Sequence, residues 1–132
     1  MALTYSIKLD GSLILAVARG TVTYQDVLDY VTSLTSDECI KPGMKELIDL
    51  RAADKTEVTS SGLLGVAMFT ALHKEKLRGT KCAMVAGKDL AFGLAKTYQA
   101  YSESEGIEVD RRVFTDFDEA CEWLGIDPGC TK

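Results

Sequence analysis

Tyr5, Ile7 and Leu9 are apolar positions separated by polar ones, and after Asp10-Gly11 the alternation resumes at Leu13, Leu15 and Val17. A period of two on both sides of an Asp-Gly pair predicts a β-hairpin, because Asp and Gly accept the positive φ angles of a tight turn. The period then changes. Tyr24, Val27, Leu28, Val31 and Leu34 follow helical spacing, and Thr23 stands where an N-cap belongs. Pro42-Gly43 interrupts the chain before an apolar strand over 45–50. The polar stretch over 50–60 reads as a loop, and a second helix is expected over 59–77, stopped by Gly79. The continuous apolar run over 81–86 predicts a central strand covered on both faces. Gly87, Lys88 and Asp89 turn into a third helix over 90–105, with Asp89 as its cap and Gly106 at its end. A last strand over 111–115 follows. Asp116 and Glu119 then have the spacing of a capping box for a closing helix over 117–124, ended by Gly125.

The expected order is β-β-α-β-α-β-α-β-α, an α/β chain. Strands that alternate with helices imply right-handed crossovers and a mainly parallel mixed sheet, with the first hairpin strand antiparallel. One domain over 1–126 is expected, with a loose tail over 127–132. Neither a repeat nor a linker interrupts it. A length of 132 residues is enough for one core without metal or disulfide staples.

Charge and cysteine usage narrow the function classes. A formal charge of −5 disfavours non-specific nucleic-acid binding, which needs clustered positive charge. No window approaches the ~20 apolar residues of a membrane span. Met1 to Asp10 lack the basic start and apolar run of a signal peptide, so a soluble, cytoplasmic protein is expected. Cys39, Cys82, Cys121 and Cys130 form no Cys-x-x-Cys pair, and His73 is the single histidine. Metal and redox chemistry therefore have no spacing to rest on, and no cofactor is expected. Cys82 falls in an expected strand and Cys121 in an expected helix, where a thiol serves as a small hydrophobe. His73 sits beside Lys74, Glu75 and Lys76 with no nucleophile placed to pair with it. No catalytic residue is assigned, and the chain is not expected to be an enzyme.

Binding chemistry has more to work with. In open α/β sheets ligands collect at the carboxyl ends of strands. That edge carries Asp49, Arg51 and Asp54 after one strand and Gly87, Lys88 and Asp89 after the next. Thr59, Ser60, Ser61 and Gly62 place small hydroxyls at a helix N-terminus. There they serve either as caps or, with the helix dipole, as a seat for an anion or a phosphorylated hydroxyl. Neither a Gly-x-Gly-x-x-Gly nor a Gly-Lys-Ser/Thr signature supports nucleotide binding. Two helices are unusually apolar. Leu63, Leu64, Met68, Phe69 and Leu72 on one, and Phe92, Tyr98 and Tyr101 on the other, exceed what packing on a single sheet requires. This surface predicts a homodimer contact, an apolar-ligand pocket, or burial under neighbouring segments.

Leu47-Ile48-Asp49-Leu50, Ser60-Ser61-Gly62-Leu63, and the second half from Gly87 through Gly125 resemble the STAS domains. Within them the chain looks like the small stand-alone bacterial proteins called SpoIIAA-like or STAS/SEC14-like, and the likeness covers essentially the whole chain. It implies a (β/α) superhelix shared with CRAL-TRIO lipid-binding domains. It also implies a non-catalytic regulatory or binding module that works on a protein partner or a small ligand, with Ser60 as phosphoacceptor. The alternative it implies is a carrier or sensor of a lipid-like apolar molecule.

Overall fold

A computed structural model describes residues 2–87 and 89–131, with Asp89 and Leu90 given by their backbone alone. Five strands, β1 (Leu3–Lys8), β2 (Leu13–Thr23), β3 (Lys45–Glu57), β4 (Thr80–Val85) and β5 (Val109–Phe114), lie in sequence order across one sheet. β1 is antiparallel to β2, and the other neighbours are parallel. Four helices, α1 (Tyr24–Ser36), α2 (Ser60–Ala71), α3 (Asp89–Ser104) and α4 (Phe117–Leu124), connect or follow the strands. The alternating β and α pattern thus produces the expected mixed sheet with an antiparallel first strand.

Side-chain alternation divides the core in two. Ile14, Ala16, Ile48, Cys82, Met84 and Val109 face α1, α2 and α3, and form the larger cluster. Leu13, Leu15, Leu47, Ala83 and Val85 face α4, where Ala120, Cys121 and Leu124 close the smaller one. α4 is short and has apolar residues on one side only. Asp116 accepts from the Glu119 N–H at 3.1 Å at its start, and Gly125 ends it in the left-handed region at φ 75°.

Four elements differ from expectation. The turn after β1 is wider than Asp-Gly, because Leu9, Asp10 and Gly11 all take positive φ and Leu9 leaves the strand. In α1 the buried residues are Tyr30, Val31 and Leu34, while Tyr24 is exposed. Its ring instead lies over α2, with Cδ1 3.1 Å from where a Cβ on Gly62 would stand. Glycine at that position makes room for the tyrosine. The second helix stops at Ala71, and Lys74–Leu77 continues as a 3-10 turn.

The largest correction concerns β3. The polar stretch after Leu50 is strand, not loop, since β2 is itself long and pairs with β3 as far as Thr23 opposite Glu57. Polar residues persist there because the β4 pairing of β3 ends at Asp49, so the far half has one neighbour and much exposed surface. Two extra residues are taken up in β3: Val17 and Arg19 oppose Asp49 and Ala52, and Gly20 and Thr21 oppose Ala53 and Lys55. Such bulges bend the strand and strengthen its twist.

β1 is tied to the residue after α1 by the Tyr5 hydroxyl, which donates to Asp37 at 2.6 Å. Burial and then this bond push the Tyr5 phenol from 10.0 up to about 12, while the same bond holds Asp37 below the usual carboxylate range. A phenol that keeps its proton more tightly when folded stabilises the fold fully below its unfolded value. That stability is lost as pH rises through the folded value. The urea midpoint is therefore expected to fall between pH 10 and about 12, and Tyr5→Phe should remove this tyrosine's share of the slope.

Candidate functional site: a cavity under three helices

Between the sheet and α1, α2 and α3 lies a cavity of about 120 Å³. Its wall is mostly aliphatic, from Val22, Val27, Ile48, Leu63, Leu94 and Ala95 among others. Five positions of β3 reach it, Glu46, Ile48, Leu50, Ala53 and Thr56, and the last three are spaced three apart. A regular strand cannot turn residues three apart to one face, and the extra residues in β3 make that spacing possible. Val27, Leu50, Thr56, Leu94 and Tyr98 are half-buried, whereas most of the lining is buried. The first four lie toward the start of α1 and the carboxyl ends of the parallel strands, the less enclosed side.

The floor is polar, and register explains it. Ile14 opposes Glu46, Glu46 opposes Cys82, and Cys82 opposes Arg111, so one row across four strands carries an acid, a thiol and a guanidinium. Glu46 and Arg111 are 3% and 6% exposed. From α1, the Tyr30 hydroxyl donates to Glu46 Oε2 at 2.6 Å. Arg111 Nη1 donates to Cys82 Sγ at 3.3 Å, and its guanidinium lies 4.8 Å from the centre of the Tyr98 ring. The Thr70 hydroxyl donates to the Val66 carbonyl at 2.8 Å, which leaves its oxygen to accept from Tyr98 at 3.4 Å.

Ionisation follows from this burial. Burial, then the charge of Glu46 and the bond to it, push the Tyr30 phenol well up, so it stays a donor. Burial also pushes the Cys82 thiol well up, which makes it unreactive. For Arg111 burial opposes the charge, but attraction from Cys82, Tyr98, Glu46 and Tyr30 outweighs it, and the guanidinium remains protonated. Among the described residues, two polar atoms of the lining, Arg111 Nε and Thr56 Oγ1, are buried without a hydrogen-bond partner.

An uncharacterised protein from Shewanella loihica PV-4, of the DUF3478 family and with a SpoIIAA-like fold, superposes on this architecture with a TM-score of 0.59. The match covers 93% of this chain and 94% of that one, at 15% sequence identity. The fold is SpoIIAA-like. No family model matches the sequence, and no curated protein does.

Within the SpoIIAA-like fold the residues singled out from sequence are dispersed. Asp49 and Arg51 face α4, on the side of the sheet away from the cavity. Arg51 Nε and Nη2 each reach the Asp49 carboxylate at 2.9 Å, and the guanidinium stacks 4.1 Å from the Phe117 ring centre. Burial disfavours the Asp49 charge, yet the Arg51 bonds outweigh it and hold the carboxyl below its ordinary range. Asp54 is exposed on the far half of β3, and Gly87 is exposed after β4. Lys88 lies outside the described residues; Asp89 opens α3, and its side chain also lies outside them.

Thr59 is the cap of α2, accepting from the Gly62 N–H at 3.0 Å. Its hydroxyl also contacts Ser61 Oγ at 3.2 Å. Ser60 is exposed and shares a 2.8 Å hydrogen bond with the Tyr101 hydroxyl, which links the turn to α3. α2 lies between α1 and α3, and this accounts for most of its apolar girdle. Leu63 is buried, Leu64 and Phe69 are half-buried, and only Met68 and Leu72 stand out, at 54% and 79% exposure. Phe92, Tyr98 and Tyr101 on α3 are half-buried, and Tyr98 lines the cavity.

Sequence reasoning missed Glu46, Arg111, Tyr30, Thr56 and Thr70. One signal was present: Glu46 alternates in phase with Ile48 and Leu50, and a charge on an apolar face is rarely buried without a partner. Replacing Tyr30 by phenylalanine keeps the ring and strands a buried Glu46 oxygen. We expect Tyr30→Phe to lose about 1–3 kcal/mol in urea unfolding at neutral pH, with the secondary structure by circular dichroism unchanged.

Proposed function

We propose that the protein is a non-catalytic binding module that holds a small, largely apolar molecule in the cavity beneath α1, α2 and α3. The observation that carries this reading is the cavity itself. An empty space of 120 Å³ forgoes up to roughly 3 kcal/mol of packing, at about 24 cal/mol per Å³. Total stabilities are only about 5–15 kcal/mol, so a resident ligand would recover a substantial fraction. An apolar cavity of about 150 Å³ holds benzene, so a space of 120 Å³ sets the scale at a molecule of about five or six non-hydrogen atoms. The less enclosed side lies toward the strand carboxyl ends, where ligands enter open α/β sheets.

A second reading attaches to Ser60. Its bond to Tyr101 joins the α2 turn to α3, which supplies Ala91, Leu94, Ala95 and Tyr98 to the cavity wall. A phosphoryl group on Ser60 would replace that bond with a dianion, and α3 would transmit the change to the ligand. Ser60→Glu is expected to alter ligand affinity severalfold in calorimetry while leaving the fold intact; an unchanged affinity would remove this reading.

Native mass spectrometry of freshly purified protein should find a small co-purifying mass. Ala95→Leu, which fills the cavity from α3, should abolish it and keep the melting temperature at or above that of the natural protein once ligand is removed. Retention of the same mass by this variant would place the ligand elsewhere.

A further inference from the structure

We infer that the cavity selects a neutral molecule with one hydrogen-bond acceptor oxygen, such as a small ketone, ester or lactone, and rejects the matching carboxylate. This inference rests on the cavity being a ligand site and names the chemistry at its buried end. The decisive group is Arg111. It lines the cavity, is 6% exposed, and its Nε–H has no hydrogen-bond partner. An arginine N–H can only donate, so the missing partner is an acceptor. Thr56 Oγ1, also unpartnered, lines the other end of the cavity, where β3 pairs with β2 alone.

The hydroxyl protons of the other lining residues are engaged. Tyr30 donates to Glu46, Thr70 donates to the Val66 carbonyl, and Tyr98 donates to Thr70. An acceptor on the ligand would complete the Arg111 Nε–H without displacing any of these bonds. Charge then separates one acceptor from another. The wall holds one acid, Glu46, and one permanent cation, Arg111, two strands apart in the same row. A ligand carboxylate would set two acids against one guanidinium in a buried space, where an uncompensated charge is very costly. A carbonyl oxygen satisfies Nε–H without adding charge.

Three probes of nearly one shape, six non-hydrogen atoms each, test this with the full chain: cyclopropyl methyl ketone, isopropenylcyclopropane and cyclopropanecarboxylate. Nitrogen-15 NMR follows the Arg111 Nε–H, assigned by its loss in Arg111→Lys, and titration gives the three affinities. Cyclopropyl methyl ketone is expected to move the Arg111 Nε–H signal downfield and to bind at least about tenfold more tightly than isopropenylcyclopropane, a factor worth about 1.4 kcal/mol. Cyclopropanecarboxylate is expected to bind more weakly than either. Equal affinity for ketone and hydrocarbon, with the Arg111 signal unmoved, would overturn the inference and leave the cavity as a purely apolar site. Tightest binding of the carboxylate would overturn the selection for a neutral molecule. Failure of all three probes to bind, the hydrocarbon included, would overturn the ligand site and the inference together.

Discussion

Burying a guanidinium beneath three helices is tolerable only if neighbours on the same face meet it. Here parallel register supplies them. Because β3, β4 and β5 run side by side in step, Glu46, Cys82 and Arg111 fall in one row, and the helices add Tyr30 and Tyr98 from above. A slip of one residue in β3 or β5 would turn Glu46 or Arg111 toward α4 and leave the other with an unpaired charge. The row therefore fixes strand register more sharply than aliphatic packing does, since aliphatic side chains of similar size exchange places at little cost. The helices inherit that constraint through the two tyrosines.

Space above the row is a consequence of how the strands bend. β3 continues well past its last pairing with β4 and takes up two extra residues against β2. That redirects Leu50, Ala53 and Thr56 to one side, so the wall curves away from the helices instead of meeting them. Small residues on the opposite wall, Ala91 and Ala95 of α3, do not fill the gap. Aliphatic wall, polar floor and a side toward the strand ends thus arise from one irregular strand and one regular row.

Most of the fold was legible because its signals are local. The cap at Thr23, the cap at Thr59, the apolar run of β4 and the glycine after α4 each depend on a few adjacent residues. The far half of β3 was not legible, because Ala52, Asp54, Lys55 and Glu57 have the composition of a loop and become strand only through pairing with β2. The site was hidden for a related reason. Glu46 and Arg111 are 65 positions apart in the chain, and only strand order and register make them neighbours. The phase of α1 misled as well: Tyr24 fits the apolar stripe by spacing but packs outward over Gly62, and Tyr30 points inward to Glu46.

The same irregular strand bears on how copies of this chain behave in a crowded solution. Beyond Asp49, β3 presents backbone N–H and C=O groups on the side that β4 no longer covers. An uncovered strand edge is a template for another molecule's strand, and hence a route to fibrous aggregation. Arg51, Asp54, Lys55 and Glu57 crowd this edge with charge of both signs, and the bulges twist it out of the flat shape that edge-to-edge stacking needs. The sequence that looks like an unremarkable polar connection is thereby a guard against polymerisation.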